Sequence, residues 1–304
     1  MTTYNRMVII GVGLIGGSLG IVCREKGIVK EIVGIGRGKD NLIKARELGI
    51  INRYTDDIRE AVSEADIVVL ATPIGAMEEI AGKITPFLKD GTIVTDVGSV
   101  KGLLVERMEK ILSPVKGGYS KRGMMFVGGH PIAGRERSGV EAASGDLFYN
   151  TRCILTPTDL TNKEALNKVK EIWEEAGASV TLIDPFIHDR IMAVVSHLPH
   201  IAAYSLVNAA MDISIDKHDI VSFSAGGFKD FTRIAASSSE MWRDICLLNS
   251  KDICQMIDKY QEELERIKEM IINRDGNALI ERFERAKEYK NKVKSEKGYK
   301  IIKN

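Results

Sequence analysis

The feature that most constrains this chain is a glycine pattern that joins a short apolar run to an apolar helical pattern. Residues 7–10 (MVII) are typical of a buried parallel strand, and residues 11–17 read GVGLIGG. Gly11 permits a tight turn, Gly13 lets backbone approach a pyrophosphate, and Gly16 allows a helix to pack closely on a strand. A helix that begins here points its first amides at phosphates. The pattern predicts a dinucleotide-binding βαβ unit.

Strands and helices continue to alternate after this unit. Strand-like runs occupy residues 31–35, 67–70, 92–96, 125–127, 152–155 and 180–183, and helical patterns occupy residues 40–48, 76–88 and the segment around Trp173. Such alternation predicts an α/β fold, with a Rossmann-type domain built on a mostly parallel sheet. From Pro185 onward helical spacing replaces the strand runs. We therefore predict a dinucleotide-binding domain over residues 1–184 and an all-α domain over residues 185–304.

Composition narrows the class of protein. With 304 residues the chain is long enough for two domains, and its 43 basic and 42 acidic side chains give a net charge of +1. That balance argues against nucleic-acid binding. Residues 7–22 are apolar but carry five glycines in a turn pattern, which argues against a signal peptide or a membrane span. The four cysteines show no metal-ligand spacing, so we expect reduced, mostly buried thiols in a cytoplasmic protein.

The residues after the second strand bear on which dinucleotide binds. An acidic side chain there would hold the ribose hydroxyls of NAD, but residues 34–39 read GIGRGK and the first carboxylate is Asp40. Arg37 and Lys39 could receive the 2′-phosphate of NADP, whereas an Arg37 that only stacks on adenine suits either cofactor. We favour NADP slightly and leave both open. With the three glycines, we assign to the cofactor site Leu14, Ile15, Arg37, Thr72 and Pro73.

Three of the five histidines lie in two short phrases, residues 128–134 (GGHPIAG) and residues 196–200 (SHLPH). Histidine is the usual proton carrier near neutral pH. An imidazole beside a bound dinucleotide predicts hydride transfer coupled to removal of a hydroxyl proton. No third ligand accompanies the histidines of the second phrase, so we predict no metal. His188 and His218 have no motif around them, and we interpret both as surface or capping residues.

Together with residues 95–101 (TDVGSVK), Glu136 and residues 226–233 (GGFKDFTR), the two phrases resemble, in order and spacing, the prephenate dehydrogenase family, which includes arogenate and cyclohexadienyl dehydrogenases. The resemblance covers residues 6–285. It implies NAD(P)-dependent oxidative decarboxylation of prephenate to 4-hydroxyphenylpyruvate, a step of tyrosine biosynthesis. It also points to a homodimer interlocked through the helical domain, as does the apolar helical face that begins near Val195.

The resemblance further implies roles for single residues. His130 would accept a hydrogen bond from the ring hydroxyl of the substrate, and Ser99 would help to orient both groups. Arg233 would hold a substrate carboxylate, because a guanidinium grips a carboxylate with two parallel hydrogen bonds. The remaining residues that we assign to the substrate site are His200, Glu136, Asp230, Gly226 and Trp242. Trp242 could instead belong to the core, and His197 fits a structural role better than a chemical one.

Three alternatives remain open at this point. Arogenate differs from prephenate by an amine in place of a side-chain keto group, which a few polar contacts near His200 could decide. Other dehydrogenases with this two-domain plan, such as β-hydroxyacid dehydrogenases and imine reductases, have no need of the paired histidine phrases. A redox sensor that holds NAD(P) without turnover has no need of Ser99, His130 and Arg233 together.

Overall fold

The computed structural model describes residues 3–113, 125–135, 137–213 and 220–295, which form one large sheet and a set of helices. The strands are β1 (Tyr4–Ile10), β2 (Val29–Ile35), β3 (Arg53–Tyr54), β4 (Ile67–Leu70), β5 (Ile93–Asp96), β6 (Phe126–Ile132), β7 (Arg152–Thr156) and β8 (Ser179–Leu182). The helices are α1 (Leu14–Glu25), α2 (Lys39–Glu47), α3 (Ile58–Val62), α4 (Met77–Ile84), α5 (Gly102–Leu112), α6 (Lys163–Glu175), α7 (Pro185–Met192), α8 (Leu198–Asp212), α9 (Gly226–Thr232), α10 (Ser239–Leu248), α11 (Ser250–Ile272) and α12 (Gly276–Ser295).

The eight strands form a single sheet in the order β3-β2-β1-β4-β5-β6-β7-β8. Every neighbouring pair is parallel except β6 and β7. The predicted Rossmann-type domain with a mostly parallel sheet is confirmed. The strand order reverses between β1 and β4, and in such sheets the crevice at the carboxyl ends of these strands receives the ligand.

The central strands are buried on both faces. In β1 and β4, Val8, Ile9, Val68 and Val69 are at most 1% exposed, which is why these strands read as unbroken apolar runs in the sequence. The apolar core continues on β7 and α6, where Trp173 packs edge-to-face on Phe148 with ring centroids 5.0 Å apart.

Three local predictions need correction. The helix predicted over residues 76–88 is divided, because Pro86 ends α4 and the flanking turns at Ile74–Ala76 and Thr85–Phe87 are 3₁₀. Helices α3 and α5 were not predicted. The strand predicted over residues 125–127 runs on to Ile132. Its pairing with β5 ends at Val127, and among the described strands β7 alone pairs with the part of β6 that contains Pro131.

Beyond β8 the described residues form helices and no strand. Residues 1–253 pack as one compact unit that includes α7–α10, and residues 254–304 form a second unit. Within the second unit Arg282 of α12 bonds Glu263 of α11 through Nε and Oε1 at 2.6 Å. The division by packing falls inside α11, so the domain boundary after residue 184 stays a prediction.

The helical run Pro185–Asp212 is 28 residues long with a mean hydropathy of 1.2 in its most apolar window. By length and composition alone it passes the test for a membrane span, a weak criterion that helices of soluble proteins also pass. The same run contains the buried polar residues His188, Asp189 and His197. Its exposed apolar side chains are those of Phe186, Ile187, Ile191, Val194, Val195, Leu206 and Met211.

The thiols follow the prediction in part. All four cysteines are free; Cys23 and Cys153 are buried, Cys246 is half-buried and Cys254 is exposed. Burial raises the pKa of the Cys23 thiol to about 12, and burial also raises the pKa of Cys153. The two buried thiols are therefore protonated and unreactive at neutral pH.

Candidate active site

The glycine turn between β1 and α1 has the geometry that the sequence predicts. Gly11 has φ +100°, a left-handed conformation that favours glycine, and a Cβ there would lie 2.5 Å from the carbonyl oxygen of Ala71. A Cβ at Gly16 would lie 2.4 Å from the carbonyl oxygen of Gly11. A Cβ at Gly13 would meet nothing within 4 Å. Gly11 and Gly16 are therefore required by the fold, whereas Gly13 opens onto free space at the N-terminus of α1.

An unpaired polar group lies beside this turn. The Thr72 hydroxyl, just after β4, is buried and has no hydrogen-bond partner among the described residues. Buried hydroxyls are normally paired, so an orphaned one at a sheet edge is expected where a ligand completes its bonding. Together with the open approach at Gly13, this group fits a dinucleotide at the carboxyl ends of β1 and β4. Leu14 and Ile15 begin α1 directly after Gly13, and Pro73 follows Thr72.

The end of β2 contains the residues that bear on cofactor choice. Arg37 is exposed, two residues after the last residue of β2, and Lys39 and Asp40 begin α2.

A fully buried ion pair supports the end of β5. Lys101 Nζ contacts Asp96 Oδ2, and neither side chain is exposed. Asp96 also accepts hydrogen bonds from Gly98 N at 2.8 Å and from Gly129 N at 3.1 Å. Because Gly129 precedes His130 on β6, the Asp96 carboxylate fixes the strand that carries His130. Ser99 lies half-buried in the turn that follows.

His130 belongs to a hydrogen-bonded chain with two residues of α7. Its Nδ1 lies 2.8 Å from Nε2 of His188, and Nδ1 of His188 lies 2.7 Å from Oδ1 of Asp189. His188 is 0% exposed, so its interpretation as a surface or capping residue was wrong. We call these three side chains the His130–His188–Asp189 chain.

The surroundings keep these imidazoles neutral. Burial lowers the pKa of His130 well below 6.5, and the neighbouring His188, Lys101 and His197 lower it further. Burial also lowers the pKa of His188, against the opposing effect of Asp189. A neutral imidazole can accept a proton at neutral pH, which an imidazolium cannot.

The second histidine phrase begins in a π-helical segment, Ala193–His197, between α7 and α8. His200 stacks on Trp242 with ring centroids 4.0 Å apart, and His197 meets the same indole edge-to-face at 5.9 Å. His197 Nδ1 lies 3.2 Å from Nδ2 of Asn249, which donates to the carbonyl oxygen of Asp189 at 2.9 Å. The phrase is thus packed beside the His130–His188–Asp189 chain.

Trp242 has features of both interpretations that the sequence left open. It is 7% exposed, like a core residue, yet its indole Nε1 is buried and has no acceptor among the described residues. A buried indole N–H normally finds a partner. Its contact with His200 and its free donor together favour a place at the edge of a ligand pocket.

The structure places some of the other predicted substrate residues near His200, some in solvent and some outside the described residues. The charge of Arg233 lowers the pKa of His200, after the larger effect of burial, so the two side chains are near each other. Gly226 and Asp230 lie one turn apart on α9, exposed to solvent. Glu136 and His218 lie outside the described residues. The sequence also predicts a surface loop over residues 113–123, which are rich in glycine, serine and basic residues, and residues 114–123 of it lie outside the described residues too. Among the described residues, no cluster of three or more potential metal ligands is found.

Comparison with known proteins decides the family. The family model for the prephenate dehydrogenase nucleotide-binding domain matches residues 19–182, and the model for the prephenate dehydrogenase dimerization domain matches residues 184–285. The chain belongs to the prephenate dehydrogenase family. As a member of that family it is an oxidoreductase with a nicotinamide-dinucleotide-binding domain.

Similar proteins within the prephenate dehydrogenase family cover nearly the whole chain. Prephenate dehydrogenase of Bacillus subtilis is 36% identical over 94% of this chain and 75% of its own length. Cyclohexadienyl dehydrogenase of Zymomonas mobilis is 32% identical over 97% of this chain and 98% of its own length. The crystal structure of the Aquifex aeolicus prephenate dehydrogenase, in complex with hydroxyphenyl propionate and NAD+, has a TM-score of 0.89 and 38% identity, covering 96% of this chain and 99% of that one.

Sequence reasoning missed His188 and Asp189. Nine residues advance an ideal α-helix by about two and a half turns, which would place His188 and His197 on opposite faces. The π segment accommodates about one extra residue, which turns His197 back toward the side of His188. The available signal was the His-Asp dipeptide itself, directly after the Pro185 helix start.

Proposed function

We propose that this chain oxidises prephenate to 4-hydroxyphenylpyruvate and CO2 in tyrosine biosynthesis, with His130 as the group that receives the proton of the ring hydroxyl. The observation that supports this most directly is a half-buried, neutral imidazole beside the carboxyl edge of a dinucleotide-binding sheet. The nicotinamide, when bound, accepts the hydride from the carbon that bears the hydroxyl.

The residues of the chain supply the rest of the chemistry. As the hydroxyl carbon becomes a carbonyl, its oxygen loses a proton, and His130 takes that proton. Loss of the ring carboxylate as CO2 then makes the ring aromatic, which makes the overall reaction favourable. The task of the protein is mainly to orient a dianion against the cofactor.

We assign the orientation of the substrate to groups around Trp242. Arg233 would pair with one carboxylate of the substrate, and the free Trp242 Nε1 would donate to a substrate oxygen. His200, stacked on the same indole, would face the side-chain keto group. We favour prephenate over arogenate because the prephenate dehydrogenases of Bacillus subtilis and Aquifex aeolicus are 36% and 38% identical to this chain.

For the cofactor we propose that NAD binds and that Arg37 also admits NADP. The Aquifex aeolicus structure, which contains NAD+, supports the first part. Two features support binding of NADP: Arg37 is exposed, and the first carboxylate after β2 is that of Asp40, in α2. We further propose a cytoplasmic homodimer, joined through the exposed apolar face of α7 and α8.

One experiment tests substrate and cofactor together. Initial rates of NAD(P)H formation are measured with prephenate and arogenate, each with NAD and NADP. We expect prephenate to be turned over with both cofactors, and Arg37→Ala to lose most of its rate with NADP while keeping that with NAD. No turnover of either substrate would reject the proposal. A faster rate with arogenate would support the alternative dehydrogenase.

A further inference from the structure

The contact between His130 and His188 decides which nitrogen of His130 is free to act. We propose that His188 and Asp189 are positioning residues, which hold His130 in the tautomer protonated on Nδ1 and leave Nε2 free to receive the substrate proton. This inference rests on the proposed role of His130.

The first step of the argument is the environment of the Asp189 carboxylate. Its Oδ1 accepts a hydrogen bond from Lys101 N at 2.7 Å, and its Oδ2 accepts one from Gly102 N at 2.7 Å. These backbone amides at the start of α5 can only donate, and an anion is favoured at a helix N-terminus. Asp189 is thus a carboxylate and an acceptor, so the His188 Nδ1 that lies 2.7 Å from Oδ1 carries a hydrogen.

The second step passes from His188 to His130. Burial keeps His188 neutral, so a ring with hydrogen on Nδ1 has a lone pair on Nε2. That lone pair lies 2.8 Å from Nδ1 of His130. The Nδ1 of His130 therefore donates its hydrogen, and Nε2 is left as an acceptor.

The opposite arrangement is disfavoured by the same contacts. If His130 accepted from His188, a neutral His188 would direct its Nδ1 lone pair at the Asp189 carboxylate across 2.7 Å. Two acceptors at that distance repel each other. Protonation of His188 would remove the repulsion, but the ring is 0% exposed and its pKa is lowered.

The arrangement also explains how charge is stabilised during the reaction. When Nε2 of His130 takes the hydroxyl proton, the imidazolium keeps its Nδ1–H bond to His188, which is bonded in turn to the Asp189 carboxylate. The logic is that of an aspartate that orients a catalytic histidine in hydrolases. The other charged or titratable groups that face the pair are Asp96, Lys101 and His197.

Asp189→Asn tests the carboxylate. Both oxygens of Asp189 accept backbone N–H bonds, so an amide must set its NH2 against Lys101 N or Gly102 N, and the anion that orients His188 is gone. We expect kcat to fall about a hundredfold or more with little change in the KM for NAD. The acid limb of the kcat profile should move to lower pH, because the anion that favours protonation of the histidine pair is gone. An unchanged kcat and acid limb would overturn the inference.

Asp66→Asn is the matched control. The Asp66 carboxylate also accepts two backbone N–H bonds, from Asn5 at 2.6 Å and Arg6 at 3.2 Å, and pairs with Lys89 at 2.9 Å. It lies at the amino end of β4, away from the candidate site. We expect both variants to lose stability to urea, and only Asp189→Asn to lose kcat. Equal losses of kcat in Asp66→Asn and Asp189→Asn would show that Asp189 has only a structural role.

Two substitutions at His188 separate hydrogen bonding from packing. In His188→Gln, the side-chain oxygen can accept from His130 Nδ1, whereas leucine in His188→Leu fills space and accepts nothing. We expect kcat of the glutamine variant to stay within about tenfold of the wild type and that of the leucine variant to fall about a hundredfold or more. Equal losses in the two variants would contradict the inference.

A direct measurement of the tautomer needs no turnover. The chain has five histidines, so 15N-histidine NMR of the ligand-free protein gives few ring signals, and His130→Asn assigns those of His130. We expect the Nδ1-protonated form in the wild type and a smaller share of that form in Asp189→Asn, where the anion that orients His188 is gone. If prephenate is not the substrate, rates vanish in every variant while the tautomer stays as expected. An Nε2-protonated His130 in the wild type would overturn the inference by itself.

Discussion

Among single residues, the three glycines of the turn between β1 and α1 are needed for different reasons. A Cβ at Gly16 would overlap the Gly11 carbonyl oxygen at 2.4 Å, whereas a Cβ at Gly13 would meet nothing within 4 Å. Gly11 also has a left-handed φ of +100°, which favours glycine. Conformation and packing thus explain Gly11 and Gly16, and leave approach of a ligand as the reason for Gly13.

Because the glycines are needed for different reasons, we expect substitution by alanine to affect cofactor binding at Gly13 and stability at Gly16. Gly13→Ala should fold with a melting temperature within a few degrees of the wild type and raise the KM for NAD about tenfold or more, because the added methyl occupies the space of the pyrophosphate. Gly16→Ala should lower the melting temperature clearly, since backbone must shift. The check is thermal unfolding of both variants together with NAD titration. A Gly13→Ala enzyme with unchanged NAD affinity would argue against the predicted cofactor site.

The rate and the pH dependence both follow from His130. His130→Asn should lower kcat by about a hundred- to ten-thousand-fold, the usual contribution of a general base. In the wild type, burial lowers the pKa of His130 well below 6.5, so the base stays neutral as pH falls through 6.5. The acid midpoint of kcat/KM should therefore lie well below 6.5. Enzyme returned from each pH to neutrality should regain full activity; a reversible midpoint at or above 6.5 would contradict the assignment.

The sequence predicts the glycine turn and points to His130, and there is a physical reason why it does not point to His188 and Asp189. Short contiguous motifs contain Gly11, Gly13, Gly16 and His130, and the residue types and spacing within each motif indicate a function. His188 and Asp189 act through hydrogen bonds to residues 58 and 87–88 positions away, and such contacts leave no local pattern.

At the scale of elements, the apolar face of α7 and α8 is the main unsatisfied feature. Within the first compact unit Val195 is 63% exposed, and Val194 and Leu206 are exposed beside it. A run of apolar side chains that the described residues do not cover is typical of a protein–protein interface. The match of residues 184–285 to a dimerization domain agrees with this interpretation.

Val195→Lys tests this face. In a monomer the substitution would change stability by about 0.5 kcal/mol at most, as is usual for exposed sites. In the proposed dimer it places a charge in an apolar interface, so we expect a shift to monomer in sedimentation equilibrium at micromolar concentration. Leu160→Lys, at a side chain 61% exposed outside this face, is the control and should leave the mass unchanged. A Val195→Lys protein with wild-type mass would exclude this residue from the interface.

Element type was easier to predict than element extent. Apolar runs in the sequence predicted the parallel strands, because such strands are buried on both faces. The end of β6 was missed because GGHPI contains two glycines and a proline, which are poor strand residues. Pairing with β7 outweighs their propensity, and among the described strands β7 alone pairs with the part of β6 that contains Pro131.

At the scale of the whole molecule, the candidate site contains several neutral histidines in buried surroundings, and this has a consequence for folding. Burial lowers the pKa of His197 to about 4, and burial also lowers those of His130 and His188. In the unfolded chain each imidazole titrates near 6.5. Between the two pKa values the unfolded chain binds more protons than the folded chain, so the stability of the fold decreases as pH falls below 6.5.

His197 allows this loss to be measured, because its pKa has a definite value. From the values of 6.5 and about 4, His197 alone should destabilise the fold by about 2 kcal/mol between pH 7 and pH 5. In His197→Asn the side-chain oxygen can still accept from Asn249, but nothing titrates. We expect the variant to lose about 2 kcal/mol less than the wild type over this range in urea unfolding at fixed protein concentration. Thr92→Val, which removes a buried hydroxyl that bonds the Ala65 carbonyl oxygen, should lose the same stability at both pH values. Equal pH dependence in wild type and His197→Asn would show that folding leaves the pKa of His197 at its ordinary value, which would contradict a histidine kept neutral by burial.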